Sequence, residues 1–170
     1  MSSNEKNDVL TALPAMRRYA RSLARDPGEA EELVQESLLR ALERHSRFAG
    51  GNLRGWLLSI VHNLHVDRQR TRVRRVQRDH AYAESRAPDI SPTQLDAVRL
   101  NEVRRAFDAL PEEQRDALHL VTIEGMSYDE AASVLGLPAG TVMSQVSRAR
   151  ETLRRWETAP PLRLVKGGQE

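Results

Sequence analysis

Arginine is the side chain with the most chemistry to offer in this sequence. Of 26 basic residues 24 are arginine, Lys6 and Lys166 being the exceptions. A guanidinium fork matches phosphate oxygens and the guanine edge better than an ammonium does. Arg68, Arg70, Arg72, Arg74, Arg75 and Arg78 crowd a segment almost bare of apolar residues, and Arg148, Arg150, Arg154 and Arg155 form a second group. Such segments gain affinity for nucleic acid by releasing counterions from phosphate; a solvated linker is the alternative for the first group. The net charge of +2 argues nothing by itself, so distribution decides. His62 and His65 have i, i+3 spacing without a third ligand, and no metal site or cofactor is expected. No Gly-rich phosphate loop, metal cluster or triad spacing appears, which argues against an enzyme. The absence of cysteine excludes a disulfide framework, a thiolate zinc site and thiol catalysis.

The elements that must position these groups are helices. At 170 residues the chain allows one domain or two small ones. Leu10, Leu13, Met16, Tyr19, Ala20 and Leu23 recur at three- and four-residue steps, which predicts one buried helix face. Asp26-Pro27-Gly28-Glu29 supplies an N-cap acid, a proline at the first helical position and an acid in the first turn. The helix it opens carries Leu33, Val34, Leu38, Ala41 and Leu42. Phe48-Ala49-Gly50-Gly51-Asn52 breaks the pattern, and Asn52 caps a third helix with Trp56, Leu57, Ile60, Val61 and Leu64 as its stripe. Arg72 to Ile90 reads as a partly mobile linker. Ser91-Pro92-Thr93-Gln94 restarts a helix with Leu95, Val98, Val103, Phe107 and Leu110, and Pro111 opens another running towards Ile123. No stretch approaches the roughly 18 apolar residues of a membrane span, and Met1–Leu10 lacks a secretory pattern. A cytoplasmic protein without membrane insertion is expected.

Ser127 to Arg155 is the most informative stretch. Gly125 can end the preceding helix in a left-handed turn, and Ser127 with Glu130 forms a capping box. Ala131, Ala132 and Leu135 make a short helix with small residues where a crossing helix must come close, and Gly136-Leu137-Pro138 makes a turn of helix-turn-helix length. Val142, Val146, Ala149 and Leu153 form the buried stripe of the next helix, so Met143, Ser144, Ser147, Arg148 and Glu151 point outward. A short polar face ending in a basic cluster can lie in a major groove. A plain helical hairpin with a solvated face is the bland alternative.

With those residues in view, the two halves together resemble a bacterial group IV sigma factor of the extracytoplasmic-function class. Ala30–Leu42 and Asn52–Arg70 are similar to sigma domain 2, and Asp108–Arg150 is similar to sigma domain 4. The resemblance implies an all-α fold of two small helical domains joined by a flexible linker. Domain 2, a helical bundle, takes residues 8–71, the linker 72–90, domain 4 with its helix-turn-helix 91–157, and a disordered tail 158–170. It implies a subunit that binds core RNA polymerase, through the β′ clamp helices and the β flap, and reads promoter DNA at its −10 and −35 elements. It further implies control by an anti-sigma factor until a stress signal arrives.

Residues carry over where the motif matches. Glu32, Leu33, Gln35, Glu36 and Leu39 are implied in core-polymerase binding. The loop Ser46–Asn52 aligns with the −10 specificity loop, which captures a base flipped from the non-template strand. Phe48, Gly50, Asn52, Arg54, His62, Asn63 and Arg68 are the −10 DNA candidates, with Phe48 read more readily as core than as a stacking surface. Trp56 is read as bracing the loop. For the −35 element the correspondence gives Thr141, Met143, Ser144, Gln145, Ser147, Arg148 and Arg150. Many members carry a basic residue at the place of Met143, which can pack on a thymine methyl but cannot fork to guanine; Arg148 is therefore the main base-reading candidate. Two alternatives remain: a helix-turn-helix regulator acting without polymerase, which leaves Ala30–Leu42 unexplained, and a sigma mimic that titrates an anti-sigma partner.

Overall fold

The computed structural model describes the backbone of residues 3–79 and 95–158, and the side chains of residues 8–75 and 102–156. Helices α1 (Ser3–Ala24), α2 (Pro27–Glu43) and α3 (Leu53–Asp79) make the first half, with a short 3-10 turn at His45–Arg47. The second half has α4 (Leu95–Asp108), α5 (Glu112–Leu118), a π-turn (His119–Ile123), α6 (Tyr128–Leu135) and α7 (Ala139–Thr158). No strand occurs among the described residues, and no helix there is long and apolar enough to cross a membrane.

Local chemistry explains where the helices start. The Asp26 carboxylate accepts from Glu29 N at 2.8 Å with Pro27 inside the first turn, and Asn52 Oδ1 accepts from Gly55 N at 2.8 Å. Such caps satisfy backbone donors that the helix itself leaves free. The capping box at Ser127 and Glu130 is complete in both directions. The capping sequence at Ser91–Gln94, the chain from 80 to 94 and the tail from 159 onward lie outside the described residues.

Helix α3 is longer than its apolar stripe. It runs past Arg72 to Asp79, into the segment read as linker. Thr71–Asp79 contains neither glycine nor proline, and arginine is a good helix former, so nothing stops the helix where the apolar stripe ends. Leu10, Leu42 and Val103, placed on buried faces by their spacing, are exposed. Leu10 fails because successive three-residue steps drift about 60° around a helix that turns 100° per residue. The true α1 stripe is Ala12, Ala15, Met16, Tyr19, Ala20 and Leu23.

Met16, Tyr19, Leu33, Val34, Leu57, Leu58, Val61 and Leu64 fill the three-helix half; Leu118, Leu120, Val134, Val142 and Val146 fill the other. The two halves pack on each other, with α6 lying along α3 and α5 meeting α1, so that their buried side chains form one continuous cluster.

Candidate nucleic-acid interface

The −35 candidates share one helix. Gly136 ends α6 in the left-handed region (φ 66°, ψ 32°), where a side chain would be strained. That turn delivers α7 with Val142, Val146 and Ala149 buried. Met143, Ser144, Ser147, Arg148 and Arg150 are exposed together, and Thr141 and Gln145 flank them half-buried. Gln145 Nε2 donates to Glu113 Oε2 at 3.1 Å, which fixes that side chain against α5. The Arg148 guanidinium has no acid partner among the described residues, so it is available to a base edge or a phosphate.

On α2 the structure divides the polymerase-docking candidates. Glu32, Gln35 and Leu39 (61% exposed) lie outward with Glu36 beside them, whereas Leu33 is 1% exposed and belongs to the core. Leu33 is corrected for a geometric reason: it stands with Ala30, Val34, Ser37 and Ala41 on the inward stripe. A partner cannot reach it.

The −10 candidates scatter more. Phe48 packs against Trp56 with ring centroids 5.2 Å apart, and both line an open apolar pocket of ≈160 Å³ with Val9, Leu38, Ala41, Leu42, His45 and Leu53. Gly50 and Gly51 have φ of 90° and 93° and lie exposed, so the loop backbone is open to close approach. Asn63 is exposed; its neighbour His62 turns inward, with Nδ1 3.0 Å from the Tyr19 hydroxyl. Burial pushes His62 down to about 4, so the imidazole is neutral at pH 7. Arg68 donates to Glu36 Oε2 at 2.6 Å, and Glu36 also pairs with Arg40 at 2.9 Å. The Arg68 hydrogen bond is the chief cause that holds the Glu36 carboxyl below its usual range. A polymerase-docking candidate and a −10 DNA candidate thus engage each other. Asn52 Nδ2 donates to Glu130 Oε1 at 2.8 Å, and Arg54 is held by Glu124.

Glu124 is the residue sequence reasoning missed. The π-turn His119–Ile123 widens the end of α5, and Gly125 (φ 67°) ends it, leaving Glu124 aimed at the first half. Its carboxylate receives Arg18 Nε and Nη2 at 3.0 and 2.8 Å, Arg54 Nη2, and His119 Nε2 at 3.2 Å. Burial alone would raise its pKa, but the hydrogen bonds from His119, Arg18 and Arg54 outweigh burial and bring it down to about 2. Tyr19 joins the two halves as well, its ring 5.2 Å from that of His119. Nearby, His65 Nε2 lies 3.2 Å from Glu112 Oε1, and Arg25 Nη2 donates to the Asp108 carbonyl at 2.9 Å. Asp116, with Oδ1 unpaired, is pushed up to about 7 by burial. One sequence signal could have found Glu124: an acid at the C-terminal end of a helix sits badly in the helix dipole, so something else must hold it.

With this geometry in hand, comparisons with known proteins are specific. Sigma-70 region 2 matches residues 9–75, and Sigma-70, region 4 matches residues 100–153. The chain is 40% identical over 155 residues to the ECF RNA polymerase sigma factor EcfG of Rhodopseudomonas palustris, covering 90% of this chain and 84% of that one. Its fold is similar to that of the sigma factor RpoE solved in complex with the anti-sigma factor NepR from Bartonella quintana. There the TM-score is 0.80 at 36% identity, covering 93% of this chain and 99% of that one. It is also similar to CnrH solved in complex with the cytosolic domain of CnrY, with a TM-score of 0.64, 26% identity, and coverage of 88% and 84%.

Proposed function

The chain belongs to the extracytoplasmic-function RNA polymerase sigma factors, and from that membership we propose how its surfaces divide the work of promoter-specific initiation. As a transcription initiation factor of this class it binds core RNA polymerase and directs it to promoters by their −10 and −35 elements. The outward face of α2 (Glu32, Gln35, Glu36, Leu39) docks on the polymerase clamp, its acid-and-leucine pattern suiting a basic helical partner. The exposed face of α7 enters the −35 major groove, with Arg148 as base reader, Met143 against a thymine methyl, and Arg150 near phosphate. The loop Gly50–Asn52 with Arg54 and Asn63 meets −10 DNA.

The observation that carries this reading is the free α7 face in a helix-turn-helix whose cap, turn and stripe are all in register, on a chain that also carries the region 2 bundle. Run-off transcription with purified core polymerase tests it. Promoter-dependent transcripts are the expected result; DNA binding without any effect on core would instead support the polymerase-independent regulator.

An anti-sigma factor holds the protein before induction. Support comes from the similarity to a sigma factor solved with NepR across nearly its whole length, and from the packed halves, which offer one surface for a partner to clasp. Its place of work is the cytoplasm, where polymerase is. Recovery of an inhibitor with the protein from unstressed cells, and loss of run-off activity when that inhibitor is added back, is the matching test.

A further inference from the structure

Arg18 and Arg54 are paired to an acid that comes from the other half of the molecule. Arg18 forks onto Glu124 with Nε–Oε1 at 3.0 Å and Nη2–Oε2 at 2.8 Å, and Arg54 adds Nη1 to the Glu124 carbonyl at 3.0 Å and Nη2 to its carboxylate. The arginine side chains stay 48% and 38% exposed while the Glu124 side chain is fully covered. Among the described residues no acid of the first half is hydrogen-bonded to either arginine. Remove the second half and two guanidinium forks face solvent beside the Gly50–Asn52 loop. A fork that accepts a carboxylate in this way accepts a phosphate with the same geometry.

The rest of the contact has the same polarity. The first half contributes Arg18, Arg25, Asn52, Arg54 and His65, all donors; the second answers with the Asp108 carbonyl, Glu112, Glu124 and Glu130, all acceptors. A row of anionic and carbonyl oxygens laid along a basic face is what a nucleic-acid backbone would present. Glu124 is also built for the purpose, since the π-turn and the left-handed Gly125 both serve to aim it; π-turns recur at functional positions.

We propose that Arg18 and Arg54 form a binding site for a backbone phosphate of the opened −10 strand, and that Glu124 fills this site within the same molecule until the two halves part. This rests on the reading of the first half as the −10 DNA-binding domain. DNA and the second half then compete for one pair of arginines, and closure keeps the free protein off DNA.

The test uses the full chain and a short fluorescein-labelled single-stranded DNA of mixed sequence, with anisotropy read across a salt series and the radius of gyration from X-ray scattering. Glu124→Gln and Arg18→Ala both break the clasp, so both expand the protein. Only Glu124→Gln gains affinity, by about 3- to 10-fold, with the salt slope steepened by about 0.7 for each phosphate newly held. Adding Arg18→Ala to Glu124→Gln reverses the gain. Equal affinity gains in both single variants would overturn the phosphate site, and so would no gain in an expanded Glu124→Gln. A compact Glu124→Gln with unchanged affinity would overturn the competition. The site is also tested without touching the second half: in complex with core polymerase, Arg18→Ala should flatten the salt slope by about 0.7, and an unchanged slope overturns the site. Run-off transcription on the same preparations separates the two claims. Transcripts without these shifts sink the inference alone; no transcripts from the wild-type chain sink the sigma reading beneath it.

Discussion

Two titratable side chains between the halves show how burial sets their charge. Asp116 Oδ2 lies 4.0 Å from His62 Nδ1, too long for a hydrogen bond, so burial governs both. Asp116, raised to about 7, favours the packed state while protonated, and that contribution is lost as pH rises from its usual 3.8 through 7. Asp116→Asn should therefore match the wild type in stability near pH 4 and exceed it by about 1–3 kcal/mol at pH 8. Denaturant melts across that range check it, and a constant difference would remove the titration argument. His62 works oppositely: buried neutral, it loses stability as pH falls from 6.5 towards 4. On the exposed face of α7, Arg148→Ala should weaken −35 discrimination by about 1–3 kcal/mol if it reads a base as proposed, measured as the change in affinity between matched and mismatched sites.

Among the elements, α2 and the α6–α7 turn make the cleanest predictions. Leu33→Ala should cost about 2–5 kcal/mol in thermal or denaturant stability, because it hollows the core. Gln35→Ala with Leu39→Ala should leave stability within about 0.5 kcal/mol while lowering core-polymerase affinity. Gly136→Ala meets no neighbouring atom within 4 Å, so its cost is backbone strain alone, about 1–2 kcal/mol. Much of this layer was legible beforehand. Asp26, Asn52 and Ser127 announced their helices because caps are local chemistry, and the Val142–Val146–Ala149 stripe followed from helical period. Helical period put Leu33 on the apolar stripe while the motif put it among the docking residues, and its burial sides with the period, because a motif gives residue type and not the direction a side chain faces. The end of α3 was not legible because charge density resembles a linker while nothing in Thr71–Asp79 breaks a helix.

For the whole molecule, the contact between halves was illegible in the sequence. Arg18 and Glu124 are far apart along the chain, and no periodicity links them. Asn52, Arg54 and His62 looked like surface groups, and only tertiary packing shows that the second half engages the first two and covers the third. The Glu124 carboxyl, held at about 2, contributes fully to closure above its usual 4.5 and loses that contribution progressively as pH falls from 4.5 through 2. Closure should thus show no Glu124-dependent change between pH 6 and 8, checked by scattering on the wild type and on Glu124→Gln.

The wide turn at His119–Ile123 gives these contacts a dependence on spacing as well as on charge. Five residues of such a turn cover about the arc of four in an α-helix, so losing one would restore ordinary pitch with little rotation, whereas losing a second would swing position 124 by roughly 100° in azimuth. The carboxylate would then miss its arginines with every charged group still present. Losing both Val121 and Thr122, with no charged residue touched, would unhook the two halves by register alone.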